Sequence, residues 1–124
     1  MASRREEHQE DVRLRVLRLI IEDPQMSTRK VAAAVGISNG SAYYVLTALV
    51  ERGFVKLENF RNNPRKRQYA YLLTPSGIRE KSILTHRFIE RKLQEFEELR
   101  AEIATLKEEA GLVSEPEESL EYKK

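Results

Sequence analysis

The 124 residues include 22 Lys and Arg against 20 Asp and Glu, with no Cys and no Trp. A chain of this length supports one hydrophobic core with an appended helix, not two full domains. Without cysteine it has no disulfide framework, thiolate nucleophile or cysteine zinc site. No apolar run approaches the ~18 residues that span a bilayer, and the first ten residues lack a signal-peptide apolar stretch, so the expectation is a soluble, cytoplasmic protein with no membrane partner.

The net charge of +2 hides an asymmetry: residues 1–75 hold 13 basic and 8 acidic side chains, whereas residues 76–124 hold 9 basic and 12 acidic. Opposite signs on the two halves suggest that the first half meets a polyanion and the second does something else.

Residues 1–6 are polar and read as a frayed end. From about Glu7 to Glu22, Val12, Val16, Leu17, Ile20 and Ile21 form one apolar stripe at helical spacing, with Arg13, Arg15 and Arg18 mostly off it. Asp23-Pro24 ends that helix, because proline disfavours the α region in the residue before it. Ser27 then fits an N-cap, with Met26 and Val31 as the two halves of a hydrophobic staple. A short helix from Thr28 to Val35 follows, and Gly36 permits the left-handed residue that closes it. Ile37-Ser38 repeats the start signal. The third helix runs to about Arg52, carries its apolar face on Ala42, Val45, Leu46 and Leu49, and stops at Gly53.

The period then changes. Residues 54–58 and 68–73 are rich in β-branched, aromatic and large apolar side chains, and a turn-rich basic segment, 59–67, connects them. A two-stranded hairpin with a long loop at its tip is expected. Thr74-Pro75 opens the last element with a hydroxyl cap, proline at the first helical position and a Leu73/Ile78 staple. No breaker follows until Gly111, which predicts one helix of roughly 35 residues. Residues 113–124 are charged and polar enough to be a disordered tail.

The short helix, Gly turn and third helix form a helix-turn-helix, with Ala32, Ala33 and Ala34 small enough to let the two helices approach. With 42, 45, 46 and 49 on the core side, Gly40, Tyr44, Thr47 and Glu51 face outward, and Asn39, Ser41 and Tyr43 flank them near the helix start. That is the part of a recognition helix that reaches base edges in the major groove. Asn39 can pair bidentately with adenine; Ser38, Ser41, Tyr43, Tyr44 and Thr47 offer hydroxyls and apolar contact. Gly40 weakens a helix unless a backbone must come close to a phosphate. A three-helix bundle needs an outer polar face in any case, but two exposed tyrosines and a glycine suit plain solvent poorly. At the start of the preceding helix, Ser27, Thr28, Arg29 and Lys30 present hydroxyls, free N–H groups and positive charge, which phosphates favour, although capping alone explains Ser27. Arg61, Arg65, Lys66 and Arg67 crowd the hairpin tip with no acid among them, and such charges repel unless a polyanion compensates them.

Enzyme chemistry finds no support. His8 and His86 stand alone, without a ligand set at metal spacing. Ser27-Thr28-Arg29-Lys30 matches Ser-x-x-Lys, but the further motifs of that chemistry are missing, as are a dinucleotide fingerprint, a phosphate loop and a nucleophile elbow. No cofactor and no metal are expected.

From Phe96 onward, Leu99, Ile103, Leu106, Ala110 and Val113 recur at alternating steps of three and four, a heptad seam; Ile89 and Leu93 precede it in a different phase. A helix of 35 residues is ~50 Å long, beyond the reach of one small domain. Each buried Leu, Ile or Phe contributes ~1.5–3 kcal/mol. Ile89, Leu93, Phe96, Leu99, Ile103 and Leu106 therefore need a partner surface, and a second copy of the chain is the simplest one.

The order of these elements, together with Gly53-Phe54-Val55-Lys56 and Leu72-Leu73-Thr74-Pro75-Ser76-Gly77-Ile78-Arg79-Glu80-Lys81, resembles the winged helix-turn-helix of MarR-family transcriptional regulators. The last block and residues 84–93 resemble in particular a subgroup associated with exopolysaccharide gene clusters. The resemblance spans about residues 10–110; its helix-turn-helix part is generic, its junction block more specific. It implies a bacterial, DNA-binding homodimer with residues 38–47 as recognition helix and 61–67 as wing. Larger MarR proteins flank the winged domain with helices at both ends and hold ligands at the dimer junction. This chain has a short N-terminal arm and a single C-terminal helix, so the resemblance brings no effector with it.

The expected fold is mainly α with a small β-hairpin wing: a winged helix-turn-helix domain over residues 7–74, then a long C-terminal dimerisation helix over 75–112. The expected function is sequence-specific regulation of transcription by a homodimer on a palindromic duplex operator. The competing reading is an adaptor whose winged domain and coiled-coil helix bind protein, since fold alone does not decide. The basic hairpin and the tyrosines favour DNA.

Overall fold

The structure, a computed structural model, describes residues 3–63 and 66–112, and for 60–63 and 66–68 the backbone course alone. Its elements run α1 (Arg4–Glu22), α2 (Thr28–Val35), α3 (Asn39–Glu51), β1 (Val55–Asn63), β2 (Lys66–Leu73) and α4 (Pro75–Glu109). It is mainly helical, with one two-stranded antiparallel hairpin and a long last helix.

Local signals set the helix ends. Ser27 Oγ accepts the Lys30 N–H at 3.1 Å and starts α2. Gly36, at φ 82°, ends it in the left-handed region that only glycine enters without strain. One start was misplaced: α1 begins at Arg4 rather than Glu7, because Ser3 Oγ accepts the Glu6 N–H at 3.1 Å and caps it. The segment expected to fray therefore carries the first turn of α1.

The core gathers Val16 and Leu17 of α1, Val31 of α2, Leu46 and Leu49 of α3, Val55 of β1 and Leu84 of α4. Leu14 joins the buried face of α1, whereas Ile21, expected on the stripe, is exposed near the helix end. Ala32 alone of the three alanines is buried; Ala33 and Ala34 face outward, so close approach of α2 rests on one small residue. Two polar ties join the elements. Arg15 of α1 donates to the Val35 carbonyl at the end of α2 (3.4 Å), and Arg87 of α4 pairs with Glu10 of α1 at 3.0 Å.

The hairpin differs from the expectation. Pairing continues from Val55↔Leu73 out to Asn63↔Lys66, so Arg61, Lys66 and Arg67 lie on the strands and not on a long loop. Ladder hydrogen bonds are made by the backbone, so Asn and Arg in the sequence need not end a strand. Between Phe60 and Asn63 the register slips by one residue, which absorbs the extra length of β1. The Tyr71 N–H donates to the Pro24 carbonyl at 2.8 Å and fastens β2 to the loop after α1.

The chain divides between Phe88 and Ile89 into two units. In the second, α4 continues to Glu109 and closes at Gly111 (φ 73°), where the Leu112 N–H donates to the Lys107 carbonyl at 2.8 Å. The six apolar residues proposed for dimer contact, Ile89, Leu93, Phe96, Leu99, Ile103 and Leu106, are all exposed on this single chain. The proposed tail, 113–124, lies outside the described residues. Among those described, no single helix is long and apolar enough to cross a membrane.

Candidate nucleic-acid interface

Helices α2 and α3 meet at 108°, within the ~90–120° of helix-turn-helix pairs. The turn is tight: the Gly36 and Ile37 N–H groups both donate to the Ala32 carbonyl, at 2.8 and 3.0 Å. Ile37 is half-buried against the core, which fixes the entry of α3. Ser38 is the N-cap. Its Oγ accepts the Ser41 N–H at 3.0 Å and donates to Ser41 Oγ at 2.9 Å.

Ala42, Leu46 and Leu49 are buried and Val45 is half-buried, so the core side of α3 is the expected one. The outer side presents Asn39, Gly40 and Ser41, with Tyr43 66% and Tyr44 75% exposed. Exposure this large leaves both rings unexplained by packing. Thr47 departs from the expectation: it is half-buried, one turn beyond Tyr43 and Tyr44, where the helix sinks towards the core.

Gly40 is informative. A Cβ built there would meet nothing closer than Ser38 Oγ at 4.0 Å, and its backbone needs no left-handed angle. Among the described residues nothing requires a glycine at that position.

At the start of α2, Ser27, Arg29 and Lys30 are exposed and Thr28 is half-buried. The Ser27 hydroxyl is engaged in its cap by the Lys30 N–H, and Arg29 and Lys30 are the exposed cations at this helix start. Of the four hairpin cations, Arg61 lies on β1, Lys66 and Arg67 lie on β2, and Arg65 is outside the described residues.

Sequence reading did not find the cleft of about 460 Å³ between α1 and α3, with Gly40, Tyr44 and Arg52 on one side and His8 and Arg13 on the other. Arg13 Nε is buried and has no hydrogen-bond partner. The sequence marks Arg13 only as lying off the apolar stripe, and no local pattern could place it opposite Tyr44. Among the described residues, no cluster of three or more His, Asp or Glu could hold a metal ion.

Residues 9–56 match a family model described as winged helix-turn-helix DNA-binding. None of the curated proteins compared with the chain matches it. Several solved structures share its fold. The PcaV transcriptional regulator of Streptomyces coelicolor, in complex with its natural ligand, is 23% identical over 80% of this chain and 72% of its own, with a TM-score of 0.55. A MarR/EmrR family transcriptional regulator from Acinetobacter sp. ADP1 is 18% identical over 80% and 74%, at 0.56. A MepR mutant of S. aureus bound to an oligodeoxyribonucleotide is 16% identical over 83% of each chain, at 0.50. The matched model is described as DNA-binding, and the PcaV and Acinetobacter proteins are described as transcriptional regulators. At such identities the likeness is one of architecture: a winged helix-turn-helix with a hairpin wing and a long C-terminal helix, as in the MarR-family structures.

Proposed function

We propose that the chain is a sequence-specific, duplex-DNA-binding transcriptional regulator that acts as a homodimer. The observation that carries this reading is the outer face of α3, where Asn39, Gly40, Tyr43 and Tyr44 stand exposed with no packing reason for their identity. The match of residues 9–56 to a DNA-binding model and the oligodeoxyribonucleotide bound by the MepR neighbour support it.

In this mechanism Arg29, Lys30 and the α2 N-terminus, with Arg61, Arg65, Lys66 and Arg67 of the wing, grip phosphates and fix position. Asn39, Ser41, Tyr43, Tyr44 and Thr47 select sequence, helped by the close backbone approach that Gly40 permits. Ser27, Thr28 and Ser38 contribute at the helix starts while serving as caps or packing there. The domain division proposed is a DNA-binding part over 7–74 and a dimerisation helix over 75–112. A two-fold homodimer would read a palindromic operator with half-sites about 10 bp apart. The likeness of residues 72–81 and 84–93 to the exopolysaccharide-associated MarR subgroup points to exopolysaccharide gene clusters as the regulated genes and to the bacterial cytoplasm as the place of action.

The test is binding of the full chain to random duplex across a salt series, followed by selection from a random pool. For a DNA binder, log K against log salt falls with a slope of about −0.9 per phosphate contact, and selection enriches an inverted repeat. A slope near zero with no enrichment overturns the reading in favour of a protein-binding adaptor.

A further inference from the structure

The exposed stripe on the second half of α4 fits a stricter pattern than alternating threes and fours. Ile89, Phe96, Ile103 and Ala110 recur at intervals of seven, the a positions of one frame. Leu99 and Leu106 occupy the d positions, and the d position after Ile89 is Lys92, with Leu93 beside it at e. The apparent change of phase before Phe96 is thus a single lysine in the core of an unbroken heptad. Lys92 Nζ lies 3.2 Å from Glu95 Oε1 on its own helix, so the charge brought to the seam comes with an acid partner.

We infer that residues 89–109 pair with a second copy of this chain as a parallel, in-register, two-stranded coiled coil. The inference rests on the homodimer reading above and adds the partner's orientation and the pairing residues. Two features carry it. Isoleucine at a with leucine at d, as at Ile103 and Leu106, is the combination that favours two strands over three or four in a parallel coiled coil.

The second feature is charge. The g positions are Glu95, Glu102 and Glu109, and the e positions within the seam are Arg100 and Lys107. In a parallel pair each g residue faces the e residue five places further along the other helix. Glu95 then meets Arg100 of the partner subunit, and Glu102 meets Lys107 of the partner subunit, each twice by symmetry. In an antiparallel pair g faces g and e faces e, which sets glutamate against glutamate and arginine or lysine against its like. The charges therefore select the parallel orientation, and the isoleucine and leucine layer selects two strands. Lys92 weakens the seam at one layer and marks the register, as a polar core residue does.

The chain contains no cysteine, so single substitutions report orientation directly. Leu99→Cys and Leu106→Cys are made separately in the full chain, oxidised mildly, and sized by sedimentation with the parent. Parallel pairing sets each cysteine against its own copy, and both variants become disulfide-linked dimers. An antiparallel pair can oppose at most one of them to itself. A parent that sediments as two copies while only one variant or neither cross-links overturns the parallel pairing and leaves the homodimer standing. A monomeric parent overturns both and assigns the face to another partner; three or four copies overturn the strand number. A second measurement does not depend on cysteine chemistry. A chain carrying Glu95→Lys with Glu102→Lys, and another carrying Arg100→Glu with Lys107→Glu, should each self-associate at least about tenfold more weakly, and a mixture should recover as heterodimer. Charge-swapped chains that self-associate as tightly as the parent overturn the pairing.

Discussion

Gly77, buried in the first turn of α4, stands against the Phe54 carbonyl so closely that a Cβ would overlap the oxygen and crowd the carbonyl carbon. The same oxygen accepts the Thr74 N–H at 3.1 Å, so it has little freedom to move aside. Gly77→Ala should therefore destabilise the fold by ~1–3 kcal/mol or more, as overpacking a fixed backbone does. Urea unfolding measures it, with exposed Arg79→Ala as a control expected to stay within about 0.5 kcal/mol. Equal midpoints for the two variants would show that the contact relaxes freely.

Thr74 ties the same junction from the side chain. Its Oγ1 donates to the Gly53 carbonyl and accepts the Gly77 N–H at 3.0 Å, joining the end of α3 to the start of α4. Thr74→Val keeps the shape and loses both bonds, at ~1–2 kcal/mol. Thr74→Ser should keep most of the stability, and thermal unfolding of the pair separates lost hydrogen bonding from lost packing.

These junctions show which parts of the fold the sequence exposes. Caps and staples act over three to five residues, so Ser27 with Met26 and Val31, and Thr74 with Pro75, can be read off directly. The start of α1 was obscured because the capping Ser3 is followed by Arg4, Arg5, Glu6 and Glu7, with no apolar residue at the position that would complete a staple. The length of the hairpin was obscured because backbone pairing is indifferent to the Asn and Arg residues it runs through. Thr47 and Ala33 depend on how α3 and α2 tilt against the core, which helical spacing alone does not fix. The outer face of α3 was legible for the opposite reason: tyrosines and a glycine at those positions serve no internal need. The cleft between α1 and α3 had no signal, because its sides are distant in sequence and meet only through packing.

Gly40 separates stability from binding. Open space surrounds its missing side chain, and helical backbone there favours alanine by ~0.5–1 kcal/mol. Gly40→Ala should raise the unfolding midpoint and weaken DNA binding, as a methyl group holds the phosphate backbone off. A variant both more stable and fully competent for binding would remove Gly40 from the interface.

The wing and the recognition helix should fail in different ways. Arg65→Ala and Arg67→Ala each remove a proposed phosphate contact, so binding should weaken alike for operator and random duplex, and the salt slope should flatten by about one per contact. Asn39→Ala should instead leave the slope unchanged and reduce the operator's advantage over random sequence by ~1–3 kcal/mol, the size of one bidentate base contact. Tyr44→Ala belongs with Asn39→Ala if the ring meets a base, and with the arginines if its hydroxyl meets a phosphate. Because Asn39 and Tyr44 are exposed, neither substitution should disturb the core, and an unchanged unfolding midpoint confirms that the loss is one of recognition. Fluorescence titration of all four variants on both duplexes at several salt concentrations tests the division of labour. Identical slopes and identical operator preference across the two groups would show that α3 and the wing do the same work.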